Sequence, residues 1–404
     1  MAKRVLVYTN HFFPEHFKIN EAVDWLIISG FEVHVVTGWP NYPSGKIYKG
    51  YGFLKKSYEK KGNLSIRRLP LIPRGSASKI RLVINYLSYF FSSFIYTLFL
   101  ILFEKKYQKV LVHHTSPFLI AISAVLYKRT RGSKAYLWDL DLWPQTLEAV
   151  GIIKSIFLLK LIEKGVVKLY KNFETVFIGS NSFKEIALKR VDHNNIFYFP
   201  NWAEKIIEEN IILSDLKIDL DLEALKIMYT GNLGTAQDFE SLCKVIIKNK
   251  NKKIQWIFIG GGRFKVKMKQ LLFNEIKKEK VIFIPHQKLE NIPTWVEKAD
   301  FLYLSLNDSK LFNLTVPAKL QAYMAMGKPI LAMINGEGAS IIEKAECGFS
   351  SPPGDFGALD ELINKGFNTS LDDRRKLGNN GKVFYNKYFF SGIRKRQLIK
   401  QIEY

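Results

Sequence analysis

The chain has 404 residues, of which 47% are hydrophobic, so it can form two or three domains with cores and is not intrinsically disordered. Its net charge of +23 should attract anions such as phosphorylated small molecules, anionic lipid or nucleic acid. Two cysteines, Cys243 and Cys347, exclude a disulfide framework or a cysteine-built zinc site and favour a reducing compartment. The opening sequence does not have the pattern of a signal peptide.

Apolar runs alternate with helical patterns over the first half of the chain. The runs that predict strands are 3–10, 32–38, 108–116, 134–140, 174–180 and 195–201. The first two flank the helical pattern 19–30, and this strand–helix–strand order predicts a parallel sheet. We therefore predict a Rossmann-like domain over residues 1–203.

The alternation stops in the charged stretch 204–225, which we interpret as a linker, and then restarts. Further strands are predicted at 226–234, 254–262, 281–286, 300–306 and 328–334. They indicate a second Rossmann-like domain over 226–380, followed by a C-terminal helix at 381–404. In two such α/β domains ligands should bind at the carboxyl ends of the strands, in a cleft between the domains.

An uncharged segment at 82–103, within the apolar region 80–104, is long enough to cross a membrane. A true span would split the predicted sheet, and polar residues including Asn85, Ser93 and Thr97 interrupt the segment. We expect one helix, or two, with one side in the domain and the other in the membrane interface. The alternative is a buried core helix.

Glycines follow two strands of the second domain. In "YTGNLGTAQ", Gly231 and Gly234, with Asn232 and Gln237 beside them, would allow backbone amides to approach a phosphate. In "FIGGGRF", the pair Gly261 and Gly262 precedes Arg263 and fits contact with a nucleoside. Tight turns without a ligand would produce the same pattern.

A third junction places a cation where a helix normally prefers an anion. In "TVPAKLQ", Val316 and Pro317 are predicted to begin a helix, and Lys319 lies in its first turn. A diphosphate at this helix end would explain the cation, whereas the alternative is an ordinary surface lysine. Nearby, "INGEG" offers Glu337 and Gly338 to a ribose or sugar hydroxyl.

The first domain offers acidic residues and histidines at its predicted strand ends. "DLDLWP" contains Asp139 and Asp141 in an Asp-x-Asp pattern that could hold a divalent ion. We assign Asp141 to the active site rather than to a metal, with a helix cap as the alternative. His114 ends another strand, and Glu15 lies in the first loop; both are candidate catalytic residues.

These motifs resemble those of family 4 glycosyltransferases of GT-B architecture, in the branch that serves bacterial O-antigen and capsule assembly. The resemblance rests on motifs spread along most of the chain: "FFPE" (12–15), "TGWPNYPSGKIYKGY" (37–51), "DLWPQTLEAVG" (141–151), "FYFPNWAE" (197–204), "YTGNLGTAQ" (229–237) and "PAKLQAYMAMGKPILA" (317–332). It implies two lobes that close on a nucleotide sugar, with the acceptor on the N-terminal lobe. It also implies transfer with retention, without metal or cofactor.

The resemblance implies the partners as well. They are a nucleotide-sugar donor, here a UDP-linked N-acetylated amino sugar such as N-acetylfucosamine, and a polyprenyl-pyrophosphate-linked glycan acceptor. The protein would then be cytoplasmic and peripheral at the inner face of the plasma membrane, on an anionic lipid surface. Two family glutamates are replaced here, by Leu314 and Ala322, so ribose binding needs other groups such as Glu337.

Three other functions remain as alternatives. A UDP-sugar 2-epimerase shares the GT-B architecture and would act on a soluble nucleotide sugar without an acceptor. A non-catalytic, membrane-associated assembly protein would bind no nucleotide. A nucleic-acid binder is disfavoured because the sequence contains no zinc-finger, RRM or KH signature.

Overall fold

The computed structural model describes residues 3–75, 78–149, 151–212 and 220–403. Contacts divide the chain into an N-terminal unit, Met1–Phe199 with Lys395–Tyr404, and a C-terminal unit, Pro200–Arg394. Part of the predicted linker, residues 213–219, lies outside the described residues. The preceding stretch of that linker forms a short helix, and Leu225 already begins a strand.

The N-terminal unit is built on a sheet of eight described strands, in the order β3-β4-β2-β1-β5-β6-β7-β8. Their bounds are β1 Arg4–Thr9, β2 Glu32–Gly38, β3 Tyr58–Lys61, β4 Leu64–Leu69, β5 Lys109–His114, β6 Lys134–Asp139, β7 Thr175–Ile178 and β8 Ile196–Tyr198. Strand β3 is antiparallel to β4, and the other pairs are parallel. The strand order reverses between β1 and β5, where an open α/β sheet forms its binding crevice.

Helices cover this sheet. They are α1 Lys18–Ile28, α2 Lys79–Phe103, α3 Ile120–Arg131, α4 Gln145–Ala149, α5 Ile156–Tyr170 and α6 Lys184–Leu188, with 3₁₀ turns at Asn181–Phe183 and His193–Asn195. The central strands are apolar runs buried on both faces, as expected for a parallel sheet between helices.

The C-terminal unit has an entirely parallel sheet in the order β11-β10-β9-β12-β13-β14. Its strands are β9 Leu225–Thr230, β10 Ile254–Ile259, β11 Val281–Ile284, β12 Phe301–Ser305, β13 Ile330–Met333 and β14 Gly348–Ser351. The strand order reverses between β9 and β12, so the loops after these two strands mark the expected ligand site of this unit.

The remaining helices belong to the second half of the chain. They are α7 Lys205–Glu209, α8 Phe239–Lys248, α9 Lys265–Leu271, α10 Phe273–Lys277, α11 Ile292–Glu297, α12 Lys310–Asn313, α13 Ala318–Ala325, α14 Gly336–Ala345, α15 Phe356–Asn368, α16 Leu371–Tyr388 and α17 Ser391–Glu403, with a 3₁₀ turn at Leu289–Asn291. The helix predicted over 381–404 is in fact two helices, because α16 ends at Tyr388 and α17 starts at Ser391. From Lys395 onward, α17 belongs to the N-terminal unit.

Helix α2 has an inverted distribution of polarity. Its buried positions are mostly polar, at Asn85, Tyr89, Ser93 and Thr97, spaced four residues apart. The Tyr89 hydroxyl donates to the Thr9 and Val36 carbonyls at 2.7 and 3.0 Å.

The opposite side of α2 is apolar and exposed. We call it the α2 outer face: Ile80, Ile84, Leu87, Phe91, Ile95, Leu98, Phe99, Leu102 and Phe103. This helix is long and apolar enough to cross a membrane, a property that core helices can share, but only 22% of its most apolar stretch is buried. The alternative of a fully buried core helix is therefore wrong, because the exposed side is the hydrophobic one.

Candidate functional site

Lys319 lies directly against the glycine turn that follows β9. A side-chain carbon added at Gly231 would come within 2.6 Å of the Lys319 Cε, so any other residue there would push the end of the lysine away from the turn. Gly231 also has a φ of +129°, a conformation that other residues rarely adopt. The structure thus brings together Gly231 and Lys319, which lie far apart in the sequence. Helix α13 starts at Ala318 with Pro317 as its N-cap, so Val316 and Pro317 precede the helix instead of beginning it, and Lys319 remains in its first turn.

The Lys319 ammonium is desolvated and has no anionic partner among the described residues. Burial lowers its pKa from 10.5 to about 8, and no other cause contributes. The nearest favourable contact is the face of the Tyr229 ring, whose centroid lies 5.1 Å from Nζ. A half-buried cation at a helix N-terminus without a counterion is an unfavourable arrangement that an anionic ligand would relieve.

The low pKa of Lys319 predicts a pH-dependent penalty on folding. Below pH 8 the lysine is charged in both the folded and unfolded states, and the penalty is fully present. Between pH 8 and 10.5 only the unfolded chain keeps the proton, so the penalty disappears as the pH rises. We expect Lys319→Gln to be more stable than the wild type by about 1–2 kcal/mol at pH 7, after allowance for partial exposure.

Urea denaturation at pH 7, 8.5 and 10 would measure this difference. The advantage of the variant should shrink as the pH rises. A stability difference that stays constant with pH would show that Lys319 is not desolvated in the folded protein.

The two glycine loops of this unit pack on each other. A side chain at Gly260 would collide with the Gly231 carbonyl, and one at Gly262 would collide with the Leu233 carbonyl. The Gly231 amide donates to the Ile259 carbonyl at 2.9 Å, and the Gly234 amide donates to Gln237 Oε1 at 3.1 Å. Backbone packing therefore accounts for Gly260 and Gly262. In this conformation the amides of Gly231 and Gly234 already have acceptors.

The other predicted donor residues surround the same strand ends. Gly338 packs against Pro317, since an added side-chain carbon would lie 3.2 Å from the proline Cδ. Glu337 is buried in the first turn of α14. Arg263 is exposed in the loop after β10, and Asn232 provides the carbonyl that the Tyr229 hydroxyl donates to at 2.8 Å.

Two residues that the sequence analysis did not single out hold this site in place. Tyr323, one turn beyond Lys319 on α13, accepts from the Thr230 amide at 3.2 Å and thereby fixes the helix against the end of β9. Asn307, after β12, donates to the Thr235 carbonyl at 2.6 Å and braces the loop that contains Gly234. Two signals in the sequence could have indicated these residues. Tyr323 lies four residues after Lys319 on the same helix, and Asn307 lies just beyond the end of a predicted strand.

In the N-terminal unit, His114 belongs to a buried polar chain. Its Nδ1 lies 2.6 Å from Asp139 Oδ1, and the other Asp139 oxygen accepts from the Tyr170 hydroxyl. His114 Nε2 is buried and has no hydrogen-bond partner among the described residues. Asp139 orients the imidazole and leaves Nε2 available, which is the arrangement expected of a histidine that binds or activates a ligand.

Asp141 takes part in a second, separate group. Its two oxygens accept from the Ser116 and Thr146 hydroxyls, and the Trp143 indole donates to Ser116 Oγ at 2.8 Å. Strand β6 ends at Asp139, so Asp141 lies beyond the strand and the two carboxylates do not share one strand face. The bond to Thr146, which lies in α4, joins two side chains, and the Thr146 amide donates to the Leu142 carbonyl, so this contact is not a backbone cap of α4. No group of three or more potential metal ligands is found among the described residues.

Glu15 is buried and accepts three hydrogen bonds. One oxygen accepts from the Asn41 and Tyr42 amides at 2.7 and 2.6 Å, and the other lies 2.7 Å from His11 Nδ1. Arg74 donates to His11 Nε2 at 2.8 Å, so the imidazole proton must be on Nδ1, facing Glu15. These contacts join the first loop to the loop at 39–43 and favour a positioning role for Glu15.

Replacing Glu15 by glutamine should therefore destabilise the protein. Glutamine has only one acceptor oxygen. Whichever way its side chain is oriented, its NH₂ group would face an N–H donor. We expect the free energy of unfolding to fall by about 1.5–3 kcal/mol in a urea titration. Glu148→Gln, at an exposed position, is the control and should change stability by less than about 0.5 kcal/mol. A Glu15→Gln protein of wild-type stability that has lost all activity would instead indicate a catalytic role.

Comparison with solved structures identifies the fold. A sucrose-phosphate synthase from Thermosynechococcus elongatus superposes with a TM-score of 0.72 at 12% identity, covering 99% of this chain and 98% of the other. Anabaena HepE, solved in complex with UDP and glucose, gives a TM-score of 0.63 at 11% identity over the whole of both chains. The chain has the GT-B fold. This confirms the predicted fold class of two Rossmann-like units.

Comparison of the amino-acid sequence finds a matching family model and two related proteins. Residues 214–384, most of the second GT-B unit, match the family model described as "Glycosyl transferases group 1". A putative colanic acid biosynthesis glycosyl transferase, WcaI of Escherichia coli K12, is 23% identical over 80% of this chain and 81% of its own. The probable glycosyltransferase WbjE of Pseudomonas aeruginosa is 24% identical over 72% and 73%. These matches support a glycosyltransferase and leave the N-acetylfucosamine branch unassigned.

Proposed function

We propose that this protein is a retaining, metal-independent glycosyltransferase that uses a nucleotide-diphosphate sugar, with UDP as the nucleotide. The observation that carries the proposal is the unpaired, desolvated Lys319 at the N-terminus of α13, against the Gly231 turn. When the bond between the anomeric carbon and the diphosphate breaks, negative charge grows on the leaving group. A preorganised ammonium and a helix N-terminus stabilise that charge.

We assign the remaining roles by position. In the C-terminal unit, Glu337, Gln237 and Arg263 contact the nucleoside and sugar of the donor, together with the loops that contain Gly231, Gly234, Gly261 and Gly262. In the N-terminal unit, His114 Nε2 and Asp141 bind the acceptor. Glu15 positions the loop next to them. The donor sugar that we propose is an N-acetylated amino sugar such as N-acetylfucosamine.

We further propose that the acceptor is a polyprenyl-pyrophosphate-linked glycan used for bacterial surface polysaccharide, either O-antigen or capsule. The name of one relative, the putative colanic acid biosynthesis glycosyl transferase WcaI, supports this class of product. The α2 outer face supports a membrane-bound acceptor, because it exposes aromatic and aliphatic side chains to solvent. The protein would then act in the cytoplasm, at the inner face of the plasma membrane.

A binding and turnover assay tests this function. Thermal shifts with UDP, GDP and their sugars should show stabilisation by one nucleotide series. The stabilising nucleotide sugar, incubated with a membrane lipid extract, should release nucleotide diphosphate and label a lipid. Epimerisation of the sugar without acceptor would favour a 2-epimerase. The absence of any nucleotide binding would favour a non-catalytic assembly protein.

A further inference from the structure

A groove runs along the N-terminal unit between α2 and the outer strands of its sheet. It has a volume of about 740 Å³, within the roughly 300–1,000 Å³ that small-molecule sites occupy. Strands β2, β3 and β4 form its floor, and the second half of α2 forms one wall. Its lining combines charged, hydroxyl and aromatic side chains. None of these residues belongs to the groups that we assign to the donor or the acceptor.

The pairing of the strands places Arg67 and Lys60 on the side of the sheet that α2 covers. Arg67 and Ser65 are two residues apart on β4, so their side chains lie on the same face. Lys60 is paired with Ser65 across the β3–β4 ladder and shares that face. Helix α2 lies over it, because His34 Nδ1 is 2.7 Å from Ser65 Oγ and His34 Nε2 is 3.2 Å from the Tyr96 hydroxyl. Both cations therefore lie along the groove.

The Arg67 guanidinium forms no hydrogen bond or ion pair with any residue that the structure describes. Its Nε is buried without a partner, and the guanidinium lies over the Tyr96 ring, 5.4 Å from the centroid. The next residue, Arg68, points to the opposite face and is paired with Glu59 and with two backbone carbonyls. A partly desolvated cation without a counterion is unfavourable. Arg67 is therefore the arginine of this pair that an anionic ligand would stabilise.

The other charges of the groove leave Arg67 available to an anion. The two carboxylates of the lining, Glu32 and Glu104, lie 3.4 and 3.9 Å from the guanidinium of Arg4, which begins β1. Arg67 is paired with a residue four positions beyond Glu32 on β2, a separation of roughly 13 Å along the strand. Burial lowers the pKa of His34 to about 4, so this imidazole is neutral near pH 7. The groove is therefore positively charged around Arg67.

The mouth of the groove is continuous with the α2 outer face. Ile95 and Phe99 line the groove and also belong to that exposed apolar surface. A guanidinium can bind two phosphate oxygens at once, and the exposed Lys60 ammonium adds a second positive charge. A phosphate that carries hydrocarbon chains matches both the cations and the apolar rim. A free phosphate would leave the rim without a contact.

We propose that this groove binds one anionic phospholipid, with its phosphate on Arg67 and Lys60 and its acyl chains beside Ile95 and Phe99. The proposal rests on the proposed function, because it requires the protein to lie on a membrane. It adds a discrete head-group site to a surface that would otherwise attract lipid only through exposed apolar side chains and net charge. The phospholipid is a ligand in this groove and not the acceptor, since the acceptor groups lie elsewhere.

Isothermal titration with dihexanoyl phosphatidylglycerol, kept below its micelle concentration, tests the site on the full chain. We expect the wild type to bind one molecule, and Arg67→Gln to weaken this binding at least tenfold. Glycerol 3-phosphate has a phosphate without acyl chains and should bind at least tenfold more weakly than the lipid. Dihexanoyl phosphatidylcholine should also bind at least tenfold more weakly, because its phosphate already has a cation.

Lys60→Gln and Lys61→Gln form a matched pair for the same titration, and they decide the question if Arg67→Gln does not fold. The two lysines are exposed neighbours in β3 whose side chains lie on opposite faces of the sheet. Lys60→Gln should weaken phosphatidylglycerol binding about fivefold, the usual effect of one cation near a lipid head group. Lys61→Gln should stay within twofold of the wild type. Equal losses in the two variants would overturn the proposal by indicating diffuse attraction.

Three further results would overturn the proposal. They are a wild type that does not bind phosphatidylglycerol, a folded Arg67→Gln protein of wild-type affinity, and equal affinity for glycerol 3-phosphate or phosphatidylcholine. Binding of UDP is measured on the same samples and should be unchanged by Arg67→Gln. A wild type that binds no nucleotide would refute the proposed transferase function, whereas the lipid titration tests the groove separately.

Discussion

Replacement of Lys319 by alanine is expected to reduce kcat by about 10²–10³-fold, the usual effect of losing one preorganised group that stabilises developing negative charge. The folded state should not suffer, because the lysine forms no ion pair with any residue that the structure describes and its burial is costly when charged. We therefore expect the variant to have a melting temperature equal to or above that of the wild type. Release of nucleotide diphosphate from the donor is the measurement.

Lys310→Ala is the matched control for this experiment. Lys310 lies nine residues earlier, in α12, and is exposed. Its removal lowers the net charge equally and should leave kcat within about twofold, since isolated surface charges contribute little. A folded Lys319→Ala protein with nearly normal kcat would exclude this lysine from the chemistry.

Removal of three exposed apolar side chains from α2 is expected to release the protein from membranes. Phe91, Ile95 and Leu102 are 58%, 66% and 71% exposed, so each can enter a bilayer without disturbing the core. Full burial of such a side chain contributes about 1.5–3 kcal/mol. If the three side chains are partly buried in the bilayer, they contribute about 3–4 kcal/mol together. The triple serine variant should therefore bind membranes about 10²–10³-fold more weakly than the wild type. Sedimentation with vesicles containing anionic phospholipid would measure this.

A matched variant carries the same number of changes on the C-terminal unit. Leu222, Val266 and Phe273 are 89%, 67% and 55% exposed, and their replacement by serine should leave vesicle binding unchanged. Equal loss of binding in both variants would indicate that general surface hydrophobicity, not the α2 outer face, is responsible. A wild-type protein that does not sediment with vesicles would refute membrane attachment.

Most of the parallel strands could be predicted from sequence because each is a continuous apolar run with a turn on either side. Strands β3, β4 and β14 escaped prediction for the opposite reason. β3 is "YEKK", an outer strand that exposes its charges, β4 is "LSIRRL", in which two arginines interrupt the apolar run, and β14 is "GFSS", which contains no aliphatic residue. These sequences form strands only because neighbouring strands provide hydrogen-bond partners.

The residues of the candidate donor site could be predicted from sequence where they follow the ends of predicted strands. Lys319 stood out because a cation contradicts the preference of a helix N-terminus, and the structure shows what the sequence could not, namely its contact with Gly231. The roles of Gly260 and Gly262 required coordinates, since only a packed structure reveals the carbonyls that exclude a side chain. The same is true of Ser116 and Tyr323, whose partners are distant in the chain.

The structure of a complex with UDP tests the central claim most directly. We predict that a diphosphate oxygen lies within about 4 Å of Lys319 Nζ, the distance of an ion pair, with the rest of the diphosphate at the turn formed by Gly231 and the first turn of α13. Nucleotide bound elsewhere, with the Lys319 ammonium still unpaired, would contradict the account.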